Sequence, residues 1–268
     1  MTTMARSFLF VPGDRPDRFP KAWNSGAHAV ILDMEDGVSA ERKTVAREAI
    51  SAWLSPEHPV YVRVNGSRTQ WFEADLTLVA RSGVRGVMLP KAETADQIGA
   101  VAKVLQGTAG VVPLLETVLG IINARELAGA PRVERLAFGS VDFQLDSGIQ
   151  GEGEELLYAR SWLVLASRVS GILAPVDGVT TDLDNPEQII ADVDRARRLG
   201  FGGKLCVHPR QIGPVNSGFA PSEREIAWAR KVVEAAAAAG TGAIRVDGEL
   251  VDRPVVERAK ATLAQTEK

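Results

Sequence analysis

The sequence predicts an α/β chain folded as a (β/α)8 TIM barrel with a C-terminal helical extension, and three observations lead there. Eight short apolar or β-branched runs alternate with longer amphipathic stretches along most of the chain. The runs are apolar enough to be buried on both faces, and such strands separated by crossover helices form a parallel sheet. Eight units exceed the roughly five or six strands usual for a doubly wound sheet. No Gly-rich dinucleotide or P-loop fingerprint favours the open alternative.

In order, the strands are expected at SFLFVP (7–12), AVILDME (29–35), VYVRVN (60–65), GVMLPK (86–91), GVVPLLE (110–116), RLAFGS (135–140), APVDGV (174–179) and KLCVHP (204–209). The clearest helices are expected over 40–54, 95–105, 154–169, 186–199 and 222–239. Asn185 and Pro186 read as an N-cap followed by proline at the first helical position, and Gly200 and Gly240 stand where C-caps belong. After the eighth unit a short hairpin is expected to turn at Asp247-Gly248, with a helix opened by Pro254 behind it. The barrel is therefore assigned to residues 1–240, and residues 241–268 to a C-terminal segment that either packs beneath the barrel or covers a neighbouring subunit's active site.

Composition narrows the chemistry. With 45% apolar and 24% charged residues over 268 positions, the chain can bury a full core. Its 31 Lys+Arg against 34 Asp+Glu give a net charge of -3, so no global attraction draws it to nucleic acid or to an anionic membrane. Cys206 is the single cysteine, which rules out an intramolecular disulfide and a thiolate metal cluster within one chain, and suits a reducing, cytoplasmic setting. The apolar run at Ser7–Val11 is too short for a signal-peptide core, and no segment reaches the roughly 18 apolar residues of a membrane-spanning helix. A soluble, unprocessed protein is expected.

In a barrel of this kind the active site is built at the C-terminal ends of the strands. Here those ends are charged: Asp33, Glu35 and Asp36 after the second strand, Arg63 and Asn65 after the third, Lys91 after the fourth and Glu116 after the fifth. Ser140 and Asp142 follow the sixth, Asp177 lies in the seventh, and His208 ends the eighth, whereas strand starts and middles read as apolar. Taken singly, each charge has an equally good reading as half of a structural ion pair, for example a second-strand carboxylate with Arg63 or Lys91. Taken together they point to a site for an anionic substrate and a hard cation, because burying an ion costs several kcal/mol unless it is paired or holds a ligand.

Glu116 and Asp142 form an oxygen-only donor pair with no His or Cys nearby, a set that suits Mg2+. Arg63 is the natural fork for a substrate carboxylate. His208, whose backbone Pro209 restricts, reads as a hydrogen-bonded structural residue, and Cys206 as a small core residue. Arg15, Arg18 and Lys21 in the first loop read first as a solvated loop and helix start, and offer a grip on phosphates if the substrate carries them, as a coenzyme A ester would.

The runs RSFLFVPGDRPDRFPKA, VILDMEDGV, VYVRVN, VMLPKAE, LLET, LAFGSVDF, RRLGFGGKLCVHPRQI and DGELVDRPVVERA resemble, in order and over nearly the whole chain, the citrate lyase β-subunit family and its relatives in the HpcH/HpaI aldolase/citrate lyase group. The resemblance implies a Mg2+-dependent carbon-carbon lyase acting on a coenzyme A thioester of the malyl, citramalyl or citryl type. It places Glu116 and Asp142 on the metal, Glu116 also against the substrate, and Arg63 on the substrate as a catalytic group. Asp252 in GELVDRP falls on a catalytic aspartate that relatives contribute from a neighbouring subunit. Glu35 and Asp36 are expected to shape the metal's surroundings, and a homotrimer or a hexamer of trimeric origin is implied. Val141 stands where an acidic residue is common in the family, which removes one charge beside the metal. The same scaffold also allows condensation, thioester hydrolysis, a citrate lyase β subunit acting on a carrier-bound thioester, a CoA-independent class II aldolase, or a non-catalytic binding protein.

Overall fold

Eight parallel strands hydrogen-bond in sequence order and close on themselves, β1 pairing with both β2 and β8. The computed structural model describes residues 4–240 and 242–266. Its barrel unit, Met4–Ser217, runs β1 (Ser7–Pro12), α1 (Phe19–Trp23), β2 (Ala29–Asp33), α2 (Lys43–Trp53), β3 (Val60–Arg63), α3 (Phe72–Val79), β4 (Val84–Leu89), α4 (Ala95–Val104) and β5 (Gly110–Leu115). It continues through α5 (Val118–Ile122), α6 (Ala124–Ala128), β6 (Ala137–Phe138), α7 (Ser140–Ser147), α8 (Leu157–Val169), β7 (Val176–Asp177), α9 (Pro186–Leu199), β8 (Gly203–Cys206) and α10 (Ile212–Gly218). The (β/α)8 barrel expected from the alternating pattern is the architecture found.

Alternation of side chains along each strand decides what enters the barrel interior. Phe8, Ala29, Ile31, Tyr61, Met88, Val112, Leu114, Ala137, Val176 and Leu205 pack there as one cluster. Two residues further along, the same parity brings Phe10, Asp33, Arg63, Glu116 and Val207 to the inner side of the mouth, where all five line one cavity. The opposite parity sends Asp177, Lys204 and Cys206 outward against the helix layer. There Asp177 meets Arg160 of α8 at 3.0 Å, with Lys204 Nζ at 3.6 Å.

The structure departs from the sequence expectations in several places. First, β6 and β7 are two residues long rather than six. Their flanks stay extended and bonded to neighbours, Val176 N–H donating to Leu136 O and Gly139 N–H to Leu115 O. Second, the start of the sixth run is not apolar. Arg135 is fully buried at the N-terminal end of the barrel, its guanidinium over Phe8 and donating to the carbonyls of Ala5 and Ala174. Burial pulls that guanidinium down to about 10. Third, α1, α3, α5, α6, α7 and α10 were absent from the expected helices. All are eight residues or shorter, and α3 buries Asp75, which breaks its apolar pattern.

The compact units divide between Ser217 and Gly218 rather than near residue 241, which itself lies outside the described residues. The reason is the packing of α11 (Glu223–Ala239) with the tail. Ala229 and Val232 of α11 share an apolar cluster with Val246 of β9 (Ile244–Val246), Val251 of β10 (Glu249–Val251) and Ala259 of α12 (Arg253–Ala264). The hairpin turns at Asp247 (φ 53°) and Gly248 (φ 89°), two successive left-handed residues as a two-residue turn requires. Among the described residues no helix is long and apolar enough to cross a membrane.

Candidate active site at the barrel mouth

A cavity of about 310 Å³ opens at the C-terminal ends of the strands, lined by Phe10, Asp33, Arg63, Glu116, Ser140 and Asp142 among others. Arg63 ends β3 and is the best anchored of these. Its Nε and Nη2 donate to Oδ1 and Oδ2 of Asp33 at 2.6 and 2.7 Å, its Nη1 lies 3.0 Å from Glu35 Oε2, and its guanidinium rests on the Phe10 ring at 4.7 Å. Burial opposes its charge, but Asp33 and Glu35 more than offset this and hold the guanidinium above its ordinary value. Each Nη atom carries a second N–H, so the fork keeps donor capacity toward the cavity.

Asp33 is held in turn. It accepts the N–H groups of Glu35 and Gly37, each at 2.9 Å, and a Cβ on Gly37 would sit only 2.4 Å from Asp33 Oδ2. The MEDG turn thus wraps a buried carboxylate. Lys43, reaching in from α2, donates to the carbonyls of Met34 and Glu35 at 2.8 Å and fixes the same turn. Sequence reading missed Lys43, because a lysine at the start of an amphipathic helix reads as solvated.

Glu35 bridges two cations, Arg63 on one oxygen and Lys91 Nζ on the other at 2.6 Å. The pairing of second-strand carboxylates with Arg63 and Lys91, weighed above as a structural alternative, is therefore present. Asp36 is exposed and lies 3.9 Å from Lys91 Nζ.

Glu116 and Asp142 differ. Glu116 is 2% exposed, and its Oε1 accepts the backbone N–H of Lys91 at 2.9 Å. Burial, with Glu35 and Asp142 as like charges nearby, pushes its carboxyl up to about 8. Asp142, in the first turn of α7, borders the same cavity. Among the described residues neither carboxylate is claimed by a lysine or arginine side chain as Asp33 and Glu35 are. No group of three or more His, Cys, Asp or Glu side chains assembles among them, so this oxygen pair is the candidate cation site.

The remaining expected residues lie elsewhere. Arg15, Arg18 and Lys21 are exposed on the connection after β1, with Arg15 paired to Asp17 at 2.9 Å. Asn65 is buried and bonded to Asp75. His208 accepts the N–H of Arg210 and caps the following turn, and Cys206 is buried. Asp252 belongs to the C-terminal unit, where its side chain accepts the N–H of Val255 and caps α12.

Residues 6–209 match the HpcH/HpaI aldolase/citrate lyase family. The chain belongs to that family. Over 97% of both sequences it is 39% identical to a citrate lyase subunit beta-like protein of Deinococcus radiodurans. It is 35% identical to the citrate lyase subunit beta of Escherichia coli strain K12, over 99% of this chain and 94% of that one. Protein CitE from Mycobacterium tuberculosis, solved in complex with magnesium, acetoacetate and coenzyme A, superposes with a TM-score of 0.88 at 33% identity over the whole of both chains. An enzyme family of aldolases and lyases fits a mouth where a pre-oriented arginine faces two acidic side chains.

Proposed function

We propose that the protein is a Mg2+-dependent carbon-carbon lyase that cleaves a 3-hydroxyacyl-CoA of the malyl, citramalyl or citryl type to acetyl-CoA and a keto acid. The observation that carries this reading is one cavity holding both Arg63, already oriented by Asp33, and an oxygen-only pair, Glu116 and Asp142, that no lysine or arginine side chain among the described residues claims. The donors fit a hard dication, and Gly139 leaves room for the Glu116 carboxyl that a Cβ would fill, at 2.5 Å from Oε2. The CitE complex with magnesium and coenzyme A supports the same assignment.

When bound, Mg2+ supplies charge stabilisation for the substrate oxygen that becomes the ketone. The chain's own residues do the rest. Arg63 binds the substrate's carboxylate with its spare N–H groups and steadies negative charge as the bond breaks. Phe10, Leu114, Phe138, Val179 and Leu205 wall the cavity and exclude water from the enolate left by cleavage. A base takes the hydroxyl proton as the carbon-carbon bond breaks, Asp252 of a neighbouring subunit is assigned the proton delivered to the enolate carbon, and Arg15, Arg18 and Lys21 the phosphates of coenzyme A.

A homo-oligomer, trimer or hexamer, is part of this reading. The outward face of α8 supports it: Leu157, Tyr158, Leu165 and Val169 are exposed on a helix whose other side is buried, and such a run of exposed large apolar side chains suits an interface. The identity with the E. coli citrate lyase subunit beta favours a second reading, a thioester held on a carrier protein. The test is release of free CoA thioester and keto acid from malyl-CoA, citramalyl-CoA and citryl-CoA, each with Mg2+ and with EDTA. Metal-dependent cleavage of one names the substrate class. Inactivity of folded protein on all three moves the assignment to the carrier-bound thioester or to a CoA-independent aldolase.

A further inference from the structure

Lys91 stands just beyond β4 with φ at +49°, in the left-handed region. That conformation costs a residue with a Cβ roughly 1–2 kcal/mol, and it persists only where the surroundings hold it. Among the described residues only Lys91, Arg132 and Asp247 adopt it without being glycine, and Asp247 is explained by its hairpin turn. Lys91 is the one of the three beside the cavity's carboxylates.

Two contacts leave this residue in different directions. Its side chain reaches Glu35 Oε1 at 2.6 Å, on the second-strand side of the mouth. Its backbone N–H donates to Glu116 Oε1 at 2.9 Å, on the fifth-strand side. Immediately afterwards Ala92 N–H rejoins the backbone of β5 at Leu114 O. The φ of Lys91 sets how its side chain and the following peptide are turned relative to its own amide. With Ala92 tied to β5 downstream, the left-handed φ is what lets residue 91 present its amide to Glu116 and its ammonium to Glu35 at once, and the Nζ–Glu35 tie opposes its relaxation. Because Glu35 also holds Arg63 Nη1, one carboxylate is common to the placement of the arginine and, through Lys91, of Glu116.

We propose that Lys91 is a positioning residue acting through its backbone: its ammonium pins a strained left-handed turn whose amide aims the Glu116 carboxylate into the cavity. The inference rests on the reading above that Glu116 serves the reacting centre. It separates from a direct role of the ammonium because glycine adopts this conformation without strain and needs no pin.

The test compares Lys91→Gly with Lys91→Ala in the full chain. In the glycine variant, a crystal structure retains the hydrogen bond from residue 91 N–H to Glu116, and calorimetric Mg2+ affinity stays within about threefold of wild type. In the alanine variant the peptide relaxes, Glu116 loses its donor, Mg2+ affinity falls by about tenfold or more, and kcat falls further than in the glycine variant while KM moves little. The thermal midpoint follows the same order, glycine above alanine. Equal damage in the two variants, or an alanine variant with Glu116 still in place and wild-type Mg2+ affinity, overturns the proposal. If wild-type protein binds no Mg2+ and cleaves no thioester, the functional reading fails by itself, and the position of Glu116 in the two variant structures still decides the role of Lys91.

Discussion

Asp33 grips Arg63 through two parallel hydrogen bonds, Nε to Oδ1 and Nη2 to Oδ2, and both partners are almost wholly buried. The pair lies at the inner end of two adjacent strands whose register sets Asp33 against Arg63. Fixing the guanidinium before substrate arrives removes the ordering cost from the binding step. Asp33→Asn keeps the shape but loses the charge and turns one of the two acceptor oxygens into a donor, which costs a charge-assisted bond worth about 1.5–3 kcal/mol. Its kcat/KM is expected to fall about 10–100-fold, measured with the thioester that the wild type cleaves best, and wild-type kcat/KM in this variant would refute the role given to the pair.

Arg63→Lys tests the fork itself. A lysine keeps the charge but offers a point rather than a planar pair of donors, and it cannot satisfy Asp33 and Glu35 together while still facing substrate. The expectation is a loss at least as large as that of Asp33→Asn, with little additivity when the two are combined, because they act as a unit. Full additivity in the double variant would show that they work separately.

Glu116→Gln and Asp142→Asn each remove one charge of the oxygen pair. Metal-dependent activity is expected to drop more than about 100-fold, with Mg2+ binding lost by calorimetry and far-UV circular dichroism unchanged. Chelation with EDTA should silence the wild type and leave nothing further to lose in the variants. Full rate in either variant would displace the cation from this pair.

The buried cluster behind β7 makes a prediction about pH. Burial pushes the Asp177 carboxyl up, but Lys204 and Arg160 more than offset it and hold the group below its ordinary value. A carboxyl depressed in the folded state contributes stability that is present above its unfolded value, near 4, and is lost as pH falls through the folded one. Asp177→Asn leaves Arg160 and Lys204 buried without their counter-charge, which costs about 3–5 kcal/mol. Urea unfolding should show that deficit at pH 7 and a shrinking difference between variant and wild type below about pH 4. A difference independent of pH would contradict the assignment.

How much of this was legible in the sequence follows from strand parity. The alternation of strands and helices is carried by apolar runs, so the barrel could be read directly. Charges at the strand ends could be seen, but not which of them face inward. Counting by twos from an interior residue sorts them, since Ile31 leads to Asp33, Tyr61 to Arg63 and Leu114 to Glu116, while Val176 leaves Asp177 facing the helices. The partition of the inward group was beyond sequence, because whether Glu35 meets Lys91 or Glu116 depends on a turn whose left-handed residue is not a glycine. Lys43 and Arg135 were invisible for a similar reason. Each is a long cation buried by backbone carbonyls that no residue pattern announces.

Gly139 tests the packing around Glu116 without touching a charge. It follows β6 and caps α7 with φ at -91°, so its backbone asks nothing special of glycine, and what it supplies is space. A Cβ there would lie 2.4 Å from Glu116 Cβ, an atom one bond from the β5 backbone that cannot rotate aside. Gly139→Ala must therefore shift either Glu116, the residue that follows β5, or the first turn of α7, which carries Asp142. Overpacking of this kind costs about 1–3 kcal/mol, and the carboxylate pair is displaced with it. The expected result is a folded protein with a lowered thermal midpoint and a loss of Mg2+ affinity and activity together. Gly99→Ala is the matching control. Its added methyl meets nothing within 4 Å, and in the middle of α4 it should raise stability by about 0.5–1 kcal/mol. Gly139→Ala with wild-type Mg2+ affinity would mean that the geometry of Glu116 and Asp142 is not what holds the cation.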